Sequence, residues 1–195
     1  MQPTHNTLSQ NNRTRSVELL NKHLAAAIDL RDQMRPSRWN VRGLGFVMIH
    51  ELFDKVSMVV ENYCGLIAER AGGLGGAARD TIQVAAEHSV HAPYSLDIAN
   101  EHQHVFAVSG TLTVFGQSAR EAIGQATALG DADTADLFAE ISRGIDLQLW
   151  FVKSHIAPKM NKKPRSRTSR QNRGEGTKLP RATMRVGAPL ATDFP

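Results

Sequence analysis

Apolar residues recur at spacings of three and four along four stretches of the chain, a pattern typical of amphipathic helices. The stretches cover roughly residues 16–34, 45–71, 100–129 and 134–156. The second shows the alternation most clearly, without a break, in Phe46, Ile49, Phe53, Val56, Val60, Tyr63 and Ile67. No stretch alternates apolar and polar residues as a half-buried strand would. The pattern predicts an all-α fold built as a four-helix bundle.

The ends of these helices carry local signals. Ser16 suits an N-cap of the first helix, and Pro36 should bend or stop that helix. A run of glycines over residues 72–76 should end the second helix. Asp133 suits an N-cap of the fourth helix, and Pro158 marks its end. The bundle itself is therefore expected over residues 16–156.

Residues 72–99 are long for a hairpin loop, and residues 77–87 could form a short helix within them. Such a segment can cross the length of the bundle, so helices two and three could run parallel. A single long crossover is the arrangement of ferritin-like bundles. Helix two also carries a second apolar stripe, formed by Leu52, Val59 and Leu66, and so has a surface for another subunit.

Composition narrows the class of protein. The chain has 195 residues, of which 41% are hydrophobic, enough for one core. No apolar run approaches the ~20 residues of a membrane span, and the first residues lack the apolar stretch of a secretory signal. Cys64 is the single cysteine, which excludes an intrachain disulfide. We expect a cytoplasmic protein with no membrane partner.

Charge is divided very unevenly along the chain. The net charge is +4, yet residues 157–195 hold 10 Lys and Arg against 2 Asp and Glu, a net +8. Residues 16–156 carry −6. The basic segment also holds five of the eight prolines, so it is expected to be a disordered tail. Residues 1–15 are expected to be a short flexible polar tail.

A polar stripe runs along the otherwise apolar second helix. His50, Asp54, Ser57, Glu61 and Gly65 follow at spacings of four, three, four and four. A histidine and a carboxylate at i and i+4 face the same way, and imidazole plus carboxylate suits iron, zinc or manganese. For such a pair taken alone, a solvated face or a simple His–Asp hydrogen bond is the commoner explanation.

Glu69 lies fifteen residues beyond Asp54, about 22 Å away along a helix. One subunit cannot bring both side chains to one ion. An antiparallel copy of the same helix can do so, about a twofold axis near Val59 and Val60. Isologous dimers of this kind are the commonest oligomers.

Several motifs occur in order and carry a resemblance to a known family. They are R38-W-N-V-R-G, H50-E-L-F-D54, A68-E-R-A-G-G-L-G-G76, Y94-S-L-D-I98, G130-D-A-D-T-A-D136 and L149-W-F151. Over roughly residues 16–156 the chain resembles the Dps family, the mini-ferritins named as DNA-binding proteins from starved cells. The resemblance implies a ferritin-like bundle, a hollow dodecamer, oxidation of ferrous iron by peroxide, storage of ferric mineral and, in many members, DNA binding.

The resemblance also implies a ferroxidase site across a twofold interface, and here the match is incomplete. His50 and Asp54 from one subunit and Glu69 from the other match the expected iron ligands. Arg38 stands where the family has a histidine ligand, and Gly65 stands where it has an aspartate. Arginine stays protonated and offers no lone pair to a cation.

Two outcomes follow for this altered site. A weakened site could still hold one iron through His50, Asp54, Glu69 and water. Alternatively, Arg38 bridges to Asp54 or Glu69, and an ion pair replaces the metal.

Asp131, Asp133 and Asp136 suit the start of a helix. The resemblance adds a second role for Asp136, as an acidic residue lining a threefold pore for cations.

The basic tail predicts a polyanionic partner. Seven cations fall within fifteen positions: Lys159, Lys162, Lys163, Arg165, Arg167, Arg170 and Arg173. Flexible cations neutralise phosphates without reading sequence, so double-stranded DNA is the expected partner, with a nucleoid-associated location. A solubilising tail remains possible on the residues alone. Two alternatives to a DNA-protecting mini-ferritin with weakened or lost ferroxidase activity stay open: an active ferroxidase and iron store, and a purely architectural nucleoid protein.

Overall fold

A computed structural model describes residues 1–98 and 100–155 of the chain. Within those residues it contains five helices and no strand, which confirms the all-α prediction. The helices are α1 (Gln10–Asn40), α2 (Phe46–Gly73), α3 (Ile82–His88), α4 (Glu101–Ala128) and α5 (Ala132–Lys153). No helix in this part of the chain is long and apolar enough to cross a membrane.

Two antiparallel helix pairs form the bundle. Five residues, 41–45, join α1 to α2, and three residues, 129–131, join α4 to α5. Connections this short force each pair to pack side by side in opposite directions. The apolar faces of the two pairs pack against each other and form one apolar core.

Contacts between helix ends fix the relative direction of the pairs. The backbone N–H of Gly45, before α2, donates to Glu101 at the start of α4 over 3.0 Å. At the other end of α2, Arg70 donates to Asp131 before α5 over 2.6 Å. Because α2 and α4 therefore begin at one end of the bundle and finish at the other, they are parallel. The long crossover expected between them is confirmed.

The crossover follows α1 and carries α3. The Thr81 hydroxyl caps α3 at its N-terminus. The Asn21 side chain of α1 donates to the Ala77 carbonyl over 3.0 Å and accepts from the Arg79 N–H over 2.8 Å. This single amide therefore anchors the start of the crossover to the bundle. The short helix expected over residues 77–87 begins five residues later than predicted and ends one residue later.

The core is made by the stripes that the sequence pattern identified. Its largest fully buried side chains include Phe53, Phe115 and Phe138, each from a different helix. Burial of one such side chain contributes about 1.5–3 kcal/mol to the free energy of unfolding. Cys64 belongs to the same core, and burial raises the pKa of its thiol to about 12, so the thiol stays protonated at neutral pH.

Helix α1 is longer at both ends than predicted. It begins at Gln10, where the Ser9 hydroxyl accepts from the Asn12 N–H over 3.2 Å, so residues 10–15 are helical rather than part of a flexible tail. Those residues are all polar, and the apolar pattern gave no signal for them. Ahead of the helix, the Gln2 N–H donates to the Gly75 carbonyl over 2.7 Å.

Pro36 lies inside α1, and the helix continues through it to Asn40. A proline there removes one backbone N–H. Side chains on either side make additional bonds to the helix: the Ser37 hydroxyl donates to the Gln33 carbonyl over 2.7 Å, and the Asn40 amide donates to the Pro36 carbonyl over 2.9 Å. The expected end of this helix near residue 34 was wrong, because the helix continues through the proline with these side-chain bonds on either side of it.

The N-cap of α5 is Asp131 rather than Asp133. Asp131 is buried, and its carboxylate accepts from the Thr134 N–H over 3.1 Å and from the Thr134 hydroxyl over 2.7 Å. Asp133 lies in the first turn, where its charge still favours the helix dipole.

Gly76 follows α2 in close contact with α1. A Cβ placed on Gly76 would lie 2.4 Å and 2.6 Å from the two methyl groups of Val17, whose β-branched side chain is buried and stiff. We expect Gly76→Ala to lower the free energy of unfolding by about 1–3 kcal/mol, measured by chemical denaturation. Gly124→Ala is the control, since no atom lies within 4 Å of a Cβ at that position in α4. Because alanine favours a helix more than glycine does, this variant should raise the free energy of unfolding by up to about 1 kcal/mol. Equal effects at both positions would contradict the packing.

The burial of His23 predicts that the protein loses stability as the pH falls. The ring is buried, with Nδ1 2.8 Å from the Leu19 carbonyl oxygen and Nε2 3.0 Å from the Ser118 hydroxyl and 3.2 Å from the Ser118 carbonyl oxygen. Burial lowers the pKa of His23 below its usual value, despite the favourable backbone contacts. The unfolded chain therefore binds a proton first as the pH falls below about 6.5, and stability falls with it. In thermal melts from pH 7 to 5, His23→Asn should show a shallower loss than the wild type. An unchanged pH dependence would contradict this role.

Candidate metal-site region and helix-end cluster

The hairpin between α1 and α2 brings together three residues of the expected metal site. Arg38 lies in the last turn of α1, and His50 and Asp54 lie one turn apart in α2. The Nη1 of Arg38 donates to Asp54 Oδ1. His50 Nδ1 donates to the Arg38 carbonyl over 3.2 Å, which leaves Nε2 as the nitrogen that could accept or bind.

Cationic and aromatic side chains line the pocket around these residues. Its volume is about 520 Å³, and its walls are Arg38, Trp39, Arg42, Phe46 and His50. The Arg38 guanidinium carbon lies 5.8 Å from the centre of the Trp39 ring. Trp39 is 61% exposed, so the pocket opens at the surface of a single chain.

These residues do not fit a cation within one chain. Arg38 has no lone pair and already engages one oxygen of Asp54, which would otherwise be a ligand. Its Nε is buried without a hydrogen-bond partner. Among residues 1–98 and 100–155 of one chain, no group of three or more His, Cys, Asp or Glu side chains is placed to hold a metal ion.

Gly65 and Glu69 lie farther along α2, on its exposed surface. A Cβ at Gly65 would have no atom within 4 Å. One chain does not bring Glu69 to His50 and Asp54, as the helical distance predicts. Glu61, also in the polar stripe, is bound to Arg31 of α1 over 2.8 Å. The stripe therefore has one end near Arg38 and a middle bound to α1, and Glu69 lies one turn beyond its last member, Gly65.

An open groove runs between α2 and α5 beside this stripe. It has a volume of about 710 Å³ and is lined by Leu52, Lys55, Met58, Val59, Asn62, Tyr63, Glu140, Gln148 and Phe151. Met58 is 61% exposed, and the second apolar stripe of Leu52, Val59 and Leu66 is only partly buried. The second contact surface expected on α2 is thus present as an apolar surface.

The far end of α2 holds a second charged cluster. Arg70 donates to Asp131 over 2.6 Å and lies 3.3 Å from Asp133. Burial opposes ionisation of Asp131, but hydrogen bonds from Thr134 and Arg70 outweigh it and hold the pKa of Asp131 below its usual value. Asp136 is exposed on the same turn of α5. The sequence marked the aspartates as helix-start residues but missed Arg70, because the two partners lie 61 positions apart.

Comparison with known proteins decides the family. The family model that describes the ferritin-like domain matches residues 17–160 of the sequence. A DNA protection during starvation protein of Agrobacterium fabrum is 33% identical over 156 residues, which cover 80% of this chain and 96% of that protein. The chain is a Dps protein of the ferritin-like family.

Solved Dps structures agree with the fold. DpsC from Streptomyces coelicolor superposes with a TM-score of 0.77 at 26% identity and covers 81% of this chain and 92% of its own. Dps of Mycobacterium smegmatis superposes with a TM-score of 0.75 at 25% identity, over 80% of this chain and 88% of its own. The seven tail cations from Lys159 to Arg173 lie outside the described residues, so their role stays a prediction.

Proposed function

We propose that this Dps protein binds and protects DNA as an oligomeric shell and that its ferroxidase activity is weak or lost. The proposal of DNA binding rests on the distribution of charge: residues 157–195 carry a net charge of +8, whereas residues 16–156 carry −6. An acidic bundle repels a polyanion, so the tail is the segment that can attract it. The relative from Agrobacterium fabrum is named for DNA protection, which supports the same function.

Assembly strengthens this binding. A dodecamer, the state that the family resemblance implies, carries twelve tails on one particle. Many weak phosphate contacts then act together through their high effective concentration. The tail has a single aromatic residue, Phe194, so it contacts the backbone of double-stranded DNA rather than stacking on bases. We infer a cytoplasmic, nucleoid-associated particle.

The Arg38–Asp54 pair supports weak or absent iron oxidation. Iron as a substrate would have to bind to His50 Nε2, the remaining Asp54 oxygen and Glu69 of the partner subunit, close to a permanent positive charge. Asp136 at the surface of α5 could still lead cations towards the interior of a shell. An active ferroxidase that uses His50, Asp54 and Glu69 is the alternative function, and a purely architectural nucleoid protein would show neither iron binding nor oxidation.

Neutralising the tail tests the DNA part. We expect the wild type to retard duplex DNA at low salt and to lose about 10³-fold or more in affinity between 50 and 200 mM salt. Exchange of all seven cations from Lys159 to Arg173 for glutamine should abolish retardation without changing assembly. Arg79→Gln, an exposed cation of the crossover, is the control. Retardation that survives the sevenfold exchange would show that the tail is not the DNA contact.

Restoring the ligands tests the iron part. Arg38→His together with Gly65→Asp should raise the initial rate of ferrous iron oxidation by peroxide about 10- to 100-fold, the scale on which groups around a metal site alter activity. Gly65 has room for the aspartate. Arg35→His, at an exposed position one turn earlier in α1, is the control and should leave the rate unchanged. A wild-type rate equal to that of the restored variant would favour the active ferroxidase instead.

A further inference from the structure

We propose that Arg38 is the cation of the subunit contact and binds Asp54 of its own chain and Glu69 of a second copy, in the place that a metal ion would occupy. The inference rests on the proposed Dps-type assembly and concerns what holds its twofold contact together. It identifies a partner for the Arg38 guanidinium and a role for a site that has lost two ligands.

The Arg38 side chain has unused binding capacity. A guanidinium carries five N–H donors in a planar fork, and the bond to Asp54 uses Nη1. Nε is covered by its own chain, but the side chain as a whole keeps 26% of its surface exposed in the single chain, so a second carboxylate can reach the guanidinium from solvent. A carboxylate that accepts from the second terminal nitrogen, Nη2, would form the charge-assisted bond that arginine favours.

The apolar stripe on α2 has the symmetry that brings Glu69 there. Leu52 and Leu66 lie seven residues before and after Val59, and all three are partly buried on one chain. If a twofold axis passes at Val59, Leu52 of one copy meets Leu66 of the other, as an isologous contact requires. The same axis places the partner's Glu69 beside Ile49 and His50, next to the hairpin that holds Arg38. The stripe is therefore self-complementary, and a second copy is its occupant.

The charge of the altered site points to the same conclusion. Relative to the family pattern, Arg38 in place of a neutral histidine adds one positive charge, and Gly65 in place of an aspartate removes one negative charge. The two changes together add +2, the charge of one ferrous ion. With Arg38, Asp54 and the partner's Glu69, the metal-free site has the net charge that the family's ligand set has after it binds one ferrous ion.

A double-mutant cycle on the full chain tests this contact. Self-association is measured by analytical ultracentrifugation in EDTA for the wild type, Arg38→Met, Glu69→Gln and the double variant. We expect the wild type to assemble in EDTA and each single variant to raise the dissociation constant at least about tenfold. The dissociation constant of the double variant should not exceed that of the single variant that associates less tightly, since both substitutions remove the same bond. Exposed residues close in sequence give the controls, Arg35→Met and Glu51→Gln.

Additive effects in the cycle, no effect of Glu69→Gln, or a wild type that needs iron to assemble would each overturn the inference. If Arg38→Met does not fold, charge reversal of the other partner provides the second measurement. Glu69→Lys should raise the dissociation constant in EDTA more than Glu69→Gln does, because it places a like charge beside Arg38, while Glu51→Lys should leave the constant unchanged. An unchanged dissociation constant for Glu69→Lys would also overturn the inference. Loss of DNA retardation with an intact cycle would instead contradict only the proposed DNA function.

Discussion

The ion pair between Arg38 and Asp54 joins the two helices of the first hairpin at the place where a Dps protein is expected to bind iron. A carboxylate at a partly buried position needs a counter-charge, and a metal ion or a cationic side chain can supply it. Here the chain supplies its own, from the last turn of α1. Two further contacts lie in the same hairpin: the Arg38 carbonyl orients His50, and the guanidinium lies close to Trp39.

A tethered cation differs from a bound metal in one physical respect. Iron binding depends on concentration, oxidation state and competition from chelators, whereas an arginine side chain is always present and always charged. A subunit contact that uses arginine is thus available before any iron enters. The same exchange removes lone pairs from the site, so the proposed subunit contact and the proposed loss of metal chemistry have one cause. In the proposed function, the bundle provides assembly and the basic tail provides contact with DNA.

Much of the fold was predictable because apolar spacing reports directly on burial. The stripe from Phe46 to Ile67 predicted α2 closely, and the long crossover followed from the length of residues 72–99. The start of α1 was not predictable from that signal, since residues 10–15 are polar and their helix depends on the Ser9 cap and on packing. The end of α1 was predicted too early because Pro36 usually stops a helix. Here the helix continues through the proline, and neighbouring side chains form hydrogen bonds to its backbone.

The site was predictable in part. His50 and Asp54 share a helix face, so their proximity follows from spacing alone, and the family pattern identified Arg38 and Gly65 as departures. The Arg38–Asp54 contact was one of several open alternatives, because only the hairpin geometry decides which carboxylate the guanidinium reaches first. The sequence marked Asp131 only as a helix-start residue, and its pairing with Arg70 gave no signal because the two partners come from different helix pairs.

The central claim is that Arg38 occupies the place of the metal at a contact between two chains. The most direct measurement is a crystal of the full-length protein soaked in ferrous iron, with anomalous data collected at the iron edge. The account predicts no anomalous peak between His50, Asp54 and the partner's Glu69, and it predicts the Arg38 guanidinium within hydrogen-bond distance of both carboxylates. A strong anomalous peak at that position, with Arg38 displaced from Asp54, would contradict it.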